Sequence, residues 1–146
     1  MNNFLVILWI WLAMIAMSFW ESSAEGRNAW AKKMCGWKLK LTKNISITRY
    51  HFWLAYVMLP LLILLPLITN GWNLKLFGVL VSAYSSGLII EDFFWYVVNP
   101  KVKLKEFWTG FSDYYPWIKI NNKKIIPLGY IIGLLIAIAS WWFLWK

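Results

Sequence analysis

The chain has 146 residues, of which 61% are hydrophobic, 20% aromatic and only 14% charged, against roughly 45–50% apolar and about 25% charged in soluble domains. A chain so poor in polar residues cannot cover its apolar surface in water, which excludes a soluble domain and points to one integral membrane domain spanning residues 1–146. The net charge of +9 could suit nucleic acid, but every basic stretch adjoins an apolar run, so a nucleic-acid partner is set aside.

Four apolar runs approach or exceed the ~20 residues that span ~30 Å of hydrocarbon as a helix. The first covers 3–20 and carries no charge. Ser22-Ser23-Ala24 after it resembles a signal-peptidase site, yet no lysine or arginine precedes the run. Residues 1–24 are therefore read as a retained span. In the following stretch Trp30, Met34, Trp37 and Leu41 recur at helical spacing among lysines. That pattern predicts a helix lying in the interface, its lysines drawn to anionic lipid head groups, although Gly36 weakens it. Cys35, the only cysteine, excludes an internal disulfide and is read as a small membrane-edge residue. Asn44 opens an Asn-Ile-Ser glycosylation sequon that is without consequence on a cytoplasmic loop.

The second run, 47–68, starts with Arg49 and His51 and contains Pro60 and Pro66, which remove backbone donors and should kink or loosen it. Gly71 predicts a tight turn into the third run, 74–98, so these two form an antiparallel hairpin. Asn99-Pro100 predicts the end of the third helix. A second basic, aromatic-rich loop follows, and the fourth run covers 125–145. The fold class expected is an all-α integral membrane protein, a bundle of four transmembrane helices with interfacial amphipathic segments on the cytoplasmic side. Gly129, Gly133 and Ala137 lie four apart on the fourth helix, as do Gly78, Ser82 and Ser86 on the third. Such small-residue stripes let backbones approach, either within one chain or in a homodimer or larger membrane complex.

The basic residues orient the bundle. Thirteen of fifteen lie in or beside the two long loops, leaving Lys75 and Lys146 on the other side. The positive-inside rule then places both long loops in the cytoplasm and both termini outside.

The six carboxylates all fall on the cytoplasmic side. Glu91 and Asp92 sit side by side inside the third run, Glu21 and Glu25 are one helical turn apart at the end of the first, and Arg49 and His51 open the second at the same depth. These six form the candidate polar cluster. Ionisable residues within membrane spans mark functional sites by default. One reading is an ion-pair layer that pins the bundle, with Glu91 or Asp92 paired to Arg49 and with Arg27 nearby. A second is a divalent metal bound by Glu25, His51, Glu91 and Asp92, a carboxylate-rich set suited to Mg²⁺ or Mn²⁺. A third is a cationic substrate held among Trp20, Trp53 and Trp95. The function expected is therefore a structural or accessory membrane subunit. The alternative is a membrane enzyme or transporter that uses Glu21, Glu25, His51, Glu91 and Asp92 on a metal ion or cation.

Overall fold

The computed structural model describes residues 2–31, 33, 36–40 and 46–146. Lys32, Met34, Cys35, Leu41, Lys43 and Asn44, with the expectations attached to them, lie outside the described residues. The described chain is mostly helical, and four helices are long and apolar enough to cross a membrane: α1 (Asn3–Glu25), α2 (Arg49–Thr69), α3 (Leu74–Val98) and α4 (Leu128–Trp145).

Local chemistry sets the ends of each helix. Asn2 caps α1 by accepting from the Phe4 N–H at 3.1 Å, and the helix stops at Gly26, whose φ of +58° is costly for residues with a Cβ. The first helix thus runs five residues past the expected boundary at 20, carrying Glu21 and Glu25 within it. Thr48 caps α2 and Asn73 caps α3. Between α2 and α3, Gly71 at φ +82° makes the expected turn. The α3 helix ends at Asn99, as the following proline requires.

Helix α3 is the centre of the bundle. Its Leu76, Leu80 and Ala83 pack on Ile10 and Met14 of α1, with Leu67 of α2 joining them. Gly87 lets Met14 come close, since a Cβ there would stand 2.9 Å from Met14 Cγ. The other side of α3 meets α4 through small residues. Ser82 donates to the Ala137 carbonyl and Ser140 donates to that of Gly78, both at 2.9 Å. Part of each small-residue stripe is therefore spent inside the chain. Ser86, however, turns to α1 and accepts from Trp11 Nε1 at 2.8 Å, and Gly129 has open space beside it.

Pro60 adjoins a change of helical register, while Pro66 sits within a regular α-helical stretch, Leu59–Thr69. Residues Phe52–Met58 of α2 are π-helical, and the Leu59 N–H reaches back five residues to the Leu54 carbonyl. The next bond in that register would run from Pro60 to Ala55, and proline has no N–H to give. The Tyr84 hydroxyl of α3 donates to the Ala55 carbonyl. A carbonyl left unpaired in lipid costs several kcal/mol, so this one bond also ties α2 to α3.

Two expectations fail outside the spans. The interfacial helix around Trp30 and Trp37 is absent from the described residues. Trp30 has φ +60° within a short 3₁₀ turn, Ala29–Ala31, and β1 (Lys38–Lys40) pairs antiparallel with β2 (Ser46–Thr48). Gly36 at φ +116° breaks the helical path, and Lys38-Leu39-Lys40 and Ser46-Ile47-Thr48 alternate with the period of a strand. The second loop holds 3₁₀ turns at Leu104–Trp108 and Gly110–Ser112, then a hairpin of β3 (Trp117–Ile120) and β4 (Lys123–Pro127). Asn121 and Asn122, at φ +49° and +62°, supply the two left-handed residues of a type I′ turn. The protein is thus not all-α, and the fourth span begins at 128 rather than 125, because residues 125–127 belong to β4. This second loop folds under the bundle, where Phe107 and Tyr114 pack with Trp95 and Tyr96 of α3.

The α3–α4 contact predicts a contrast between two glycines. A Cβ at Gly78 would fall 2.5 Å from Leu144 Cβ, whereas none meets Gly129. Gly78→Ala should therefore lose about 1–3 kcal/mol of stability. Gly129→Ala should leave it unchanged or raise it by up to about 1 kcal/mol. Thermal melting of the two variants in detergent reads the difference.

Candidate metal centre

Helices α1 and α2 deliver donors to one point. Glu21 and Glu25 share a face of α1 because they are four residues apart, and that face turns towards the first turn of α2. There His51 Nε2 lies 3.8 Å from Glu21 Oε1 and 3.6 Å from Glu25 Oε1. One donor atom from each of the three falls within 4.8 Å of the others, and the residues are only 6%, 8% and 6% exposed respectively. The N···O separations are too long for hydrogen bonds. They are close to the spacing of ligands around a metal, roughly 3.0–3.5 Å for bonds of about 2.0–2.2 Å.

The imidazole is held on its other edge. Thr48 Oγ1 lies 2.8 Å from His51 Nδ1 and also accepts the His51 backbone N–H, so the residue that caps α2 orients the ring as well. Trp30 stacks on the imidazole at 4.0 Å between centroids and 20° between planes, while Tyr50 meets its edge at 5.0 Å. Trp30 in turn donates Nε1–H to the Ser46 carbonyl at 2.5 Å. The left-handed backbone at Trp30 is what swings its indole over the histidine.

Glu91 approaches from α3. Its carboxylate lies within hydrogen-bonding reach of Glu21, and its Oε1 is buried with no hydrogen-bond partner among the described residues. The Ser18 hydroxyl donates to the Glu91 carbonyl at 2.8 Å, fixing α1 and α3 at this level. The neighbouring Asp92 points elsewhere, since successive residues of a helix diverge by about 100°. It accepts from the Tyr115 hydroxyl at 2.6 Å, with Tyr130 beside it. Burial, and after it the Asp92 charge, push the Tyr115 phenol well above its usual range, so it stays a donor. Tyr96 and Tyr114 share a hydrogen bond next to this group.

The expected cationic partners lie elsewhere. The exposed Arg49 side chain packs over Gly36, with its Cδ where a Cβ of residue 36 would be, and its backbone N–H donates to Trp37. Among the described residues it pairs with none of the acids, so the expected Glu91–Arg49 or Asp92–Arg49 bridge is absent. Arg27 donates to the Lys101 carbonyl and to both oxygens of Glu106, the latter at 3.2 and 2.8 Å. The expected tryptophan cage does not form either. Trp20 stacks near Tyr50, Trp53 meets Phe52, and Trp95 meets Tyr96. The ring on the site is Trp30. Only its position soon after Glu21 and Glu25 in the sequence hinted at this, and nothing marked Thr48 or Tyr115.

Compared with protein-family models, curated proteins and solved structures, the chain matches none.

The Arg27–Glu106 pair carries its own expectation. The Arg27 guanidinium and the Lys103 backbone N–H hold the Glu106 carboxyl below its ordinary 4.5. A depressed carboxylate adds stability that is complete above the ordinary value and is lost as pH falls through the lowered one. Both side chains reach solvent, so the effect is small and screened by salt. Arg27→Gln should raise the Glu106 titration towards 4.5, followed by carboxyl-carbon NMR.

Proposed function

We propose that this is a multi-pass membrane metalloprotein whose working centre is a divalent cation held by Glu21, Glu25, Glu91 and His51 Nε2. The observation that carries this reading is the convergence of three buried donors within 4.8 Å, joined by a buried Glu91 oxygen with no hydrogen-bond partner among the described residues. Carboxylates brought this close in a poorly solvated layer repel one another, and a shared proton or a bound cation relieves the repulsion. No lysine or arginine pairs with Glu21 or Glu91 among the described residues. In this reading a dication supplies positive charge where the oxygens converge.

The chemistry of the donors narrows the cation. Three carboxylates with one imidazole suit Mn²⁺ better than a thiolate-loving metal, and the nitrogen favours Mn²⁺ over Mg²⁺. With Nδ1 protonated and donating to Thr48, the Nε2 lone pair faces the carboxylates, the usual outer-shell arrangement for a metal-binding histidine. On the positive-inside orientation both basic loops are cytoplasmic and both termini are outside, so the centre sits at the inner edge of the bilayer. A site near one surface, rather than at the midplane, favours metal-assisted chemistry over alternating-access transport. The metal would act there as a Lewis acid.

A structural layer is the second reading, favoured by the Ser18–Glu91 bond and by Asn99 Nδ2 donating to the Gly26 carbonyl at 2.8 Å. Metal content by mass spectrometry separates the two. Detergent-purified wild type exposed to Mn²⁺ should retain near-stoichiometric metal, and Glu25→Gln, His51→Ala and Glu91→Gln should lose it while remaining folded. No metal in the wild type, together with a lowered melting temperature in Glu91→Gln, would leave the acids as structural pins.

A further inference from the structure

Helices α1 and α2 come together at the Glu21–His51 layer, and further into the membrane a groove opens between them. It has a volume of about 790 Å³, in the range of ligand-binding clefts. Leu5, Trp9 and Met17 of α1, Leu62 and Pro66 of α2, and Leu80 of α3 line it, and among the described residues the only polar liner is Asn2, at the end far from the acids. From Asn2 to Met17 the groove follows α1 for roughly 22 Å, most of the hydrocarbon thickness.

The walls of this groove lead to the acids. Met17 precedes Glu21 by one turn on α1. On α3, Leu80, Tyr84, Leu88 and Glu91 follow one another at steps of four, four and three, a single stripe that runs from the groove floor to the carboxylates. Tyr84, Leu88 and Glu91 are each only partly buried, the first two packed beside the α1–α3 core, and the stripe continues the groove floor towards the carboxylates. The lining also discriminates between occupants. A partner transmembrane helix needs small residues for close approach, and apart from Ala13 the groove presents bulky side chains such as Leu5, Trp9 and Leu62. A flexible hydrocarbon chain fits between such side chains without close backbone contact.

We propose that the centre acts on a membrane lipid, whose alkyl chain enters the α1–α2 groove and whose anionic oxygen head group reaches the cation at Glu21, Glu25, Glu91 and His51. The proposal rests on the metal reading above. It makes the bilayer the source of substrate, with the metal drawing in the head and the groove aligning the chain.

Photolabelling with a palmitate analogue carrying a diazirine in its chain tests this on the full-length, Mn²⁺-loaded protein. Adducts should concentrate on α1 and α2 groove residues and should be competed by unlabelled palmitate. They should fall by about tenfold or more on removal of the metal, the equivalent of about 1.4 kcal/mol of head-group anchoring. Ala13→Phe should fill the groove and reduce labelling to the same degree, and Met17→Trp is the second such variant should the first not fold. Adducts spread over the lipid-facing sides of all four helices, indifferent to palmitate and to both variants, would overturn the proposal. Metal content of the same samples keeps the two readings apart. Scattered labelling with metal retained overturns the lipid proposal alone, whereas a metal-free wild type overturns the centre and the head-group anchoring with it.

Discussion

Carboxylates crowded into a buried layer between apolar helices are the constraint on which the rest of this structure turns. Glu21 and Glu25 converge on His51, the Glu91 carboxylate stands beside Glu21, and much of the local order holds that arrangement. Ser18 fixes α1 to α3 beside Glu91, Thr48 starts α2 and steadies the imidazole, and Trp30 takes a left-handed backbone to cover the ring. A layer meant only to pin helices would place arginine opposite the acids. Here Arg49 lies over Gly36 and Arg27 pairs with Glu106, so neither neutralises Glu21 or Glu91. In the proposed centre a bound dication would offset these acids and give the imidazole's orientation a purpose.

The neighbouring carboxylate shows how one residue of helical rotation separates two environments. Asp92 turns into a cage of phenols under the second loop, where Tyr115 donates to it. It accepts a hydrogen bond there and is not gathered with the other donors. The folded second loop, with its buried Phe107 and Tyr114, builds that cage. This loop therefore has a packing role beyond joining two spans, and it separates Asp92 from the centre.

Much of the scaffold was legible in the sequence because lipid imposes simple rules. Long, largely apolar runs marked all four long helices, Gly71 the α2–α3 turn, and Asn99-Pro100 the end of α3. Glu21, Glu25, His51 and Glu91 could be singled out because charge in a span is rare. Their division from Asp92 and Arg49 could not, since it depends on how the helices rotate about one another. The loop hairpins are obscured in the sequence because Trp30 and Trp37 recur at a helical period, while Lys38–Lys40 and Trp117–Ile120 alternate with period two. Trp30 and Thr48 were invisible for another reason: one acts through an unusual backbone angle, the other through a cap that doubles as a ring anchor.

The central claim is that a cation sits among one imidazole and several carboxylates, and the metal's own spectrum tests it most directly. Pulsed electron paramagnetic resonance of the Mn²⁺-loaded protein should show coupling to a single imidazole nitrogen, and that coupling should vanish in His51→Gln. A spectrum indistinguishable from hydrated Mn²⁺, with no nitrogen coupling in the wild type, would contradict the account.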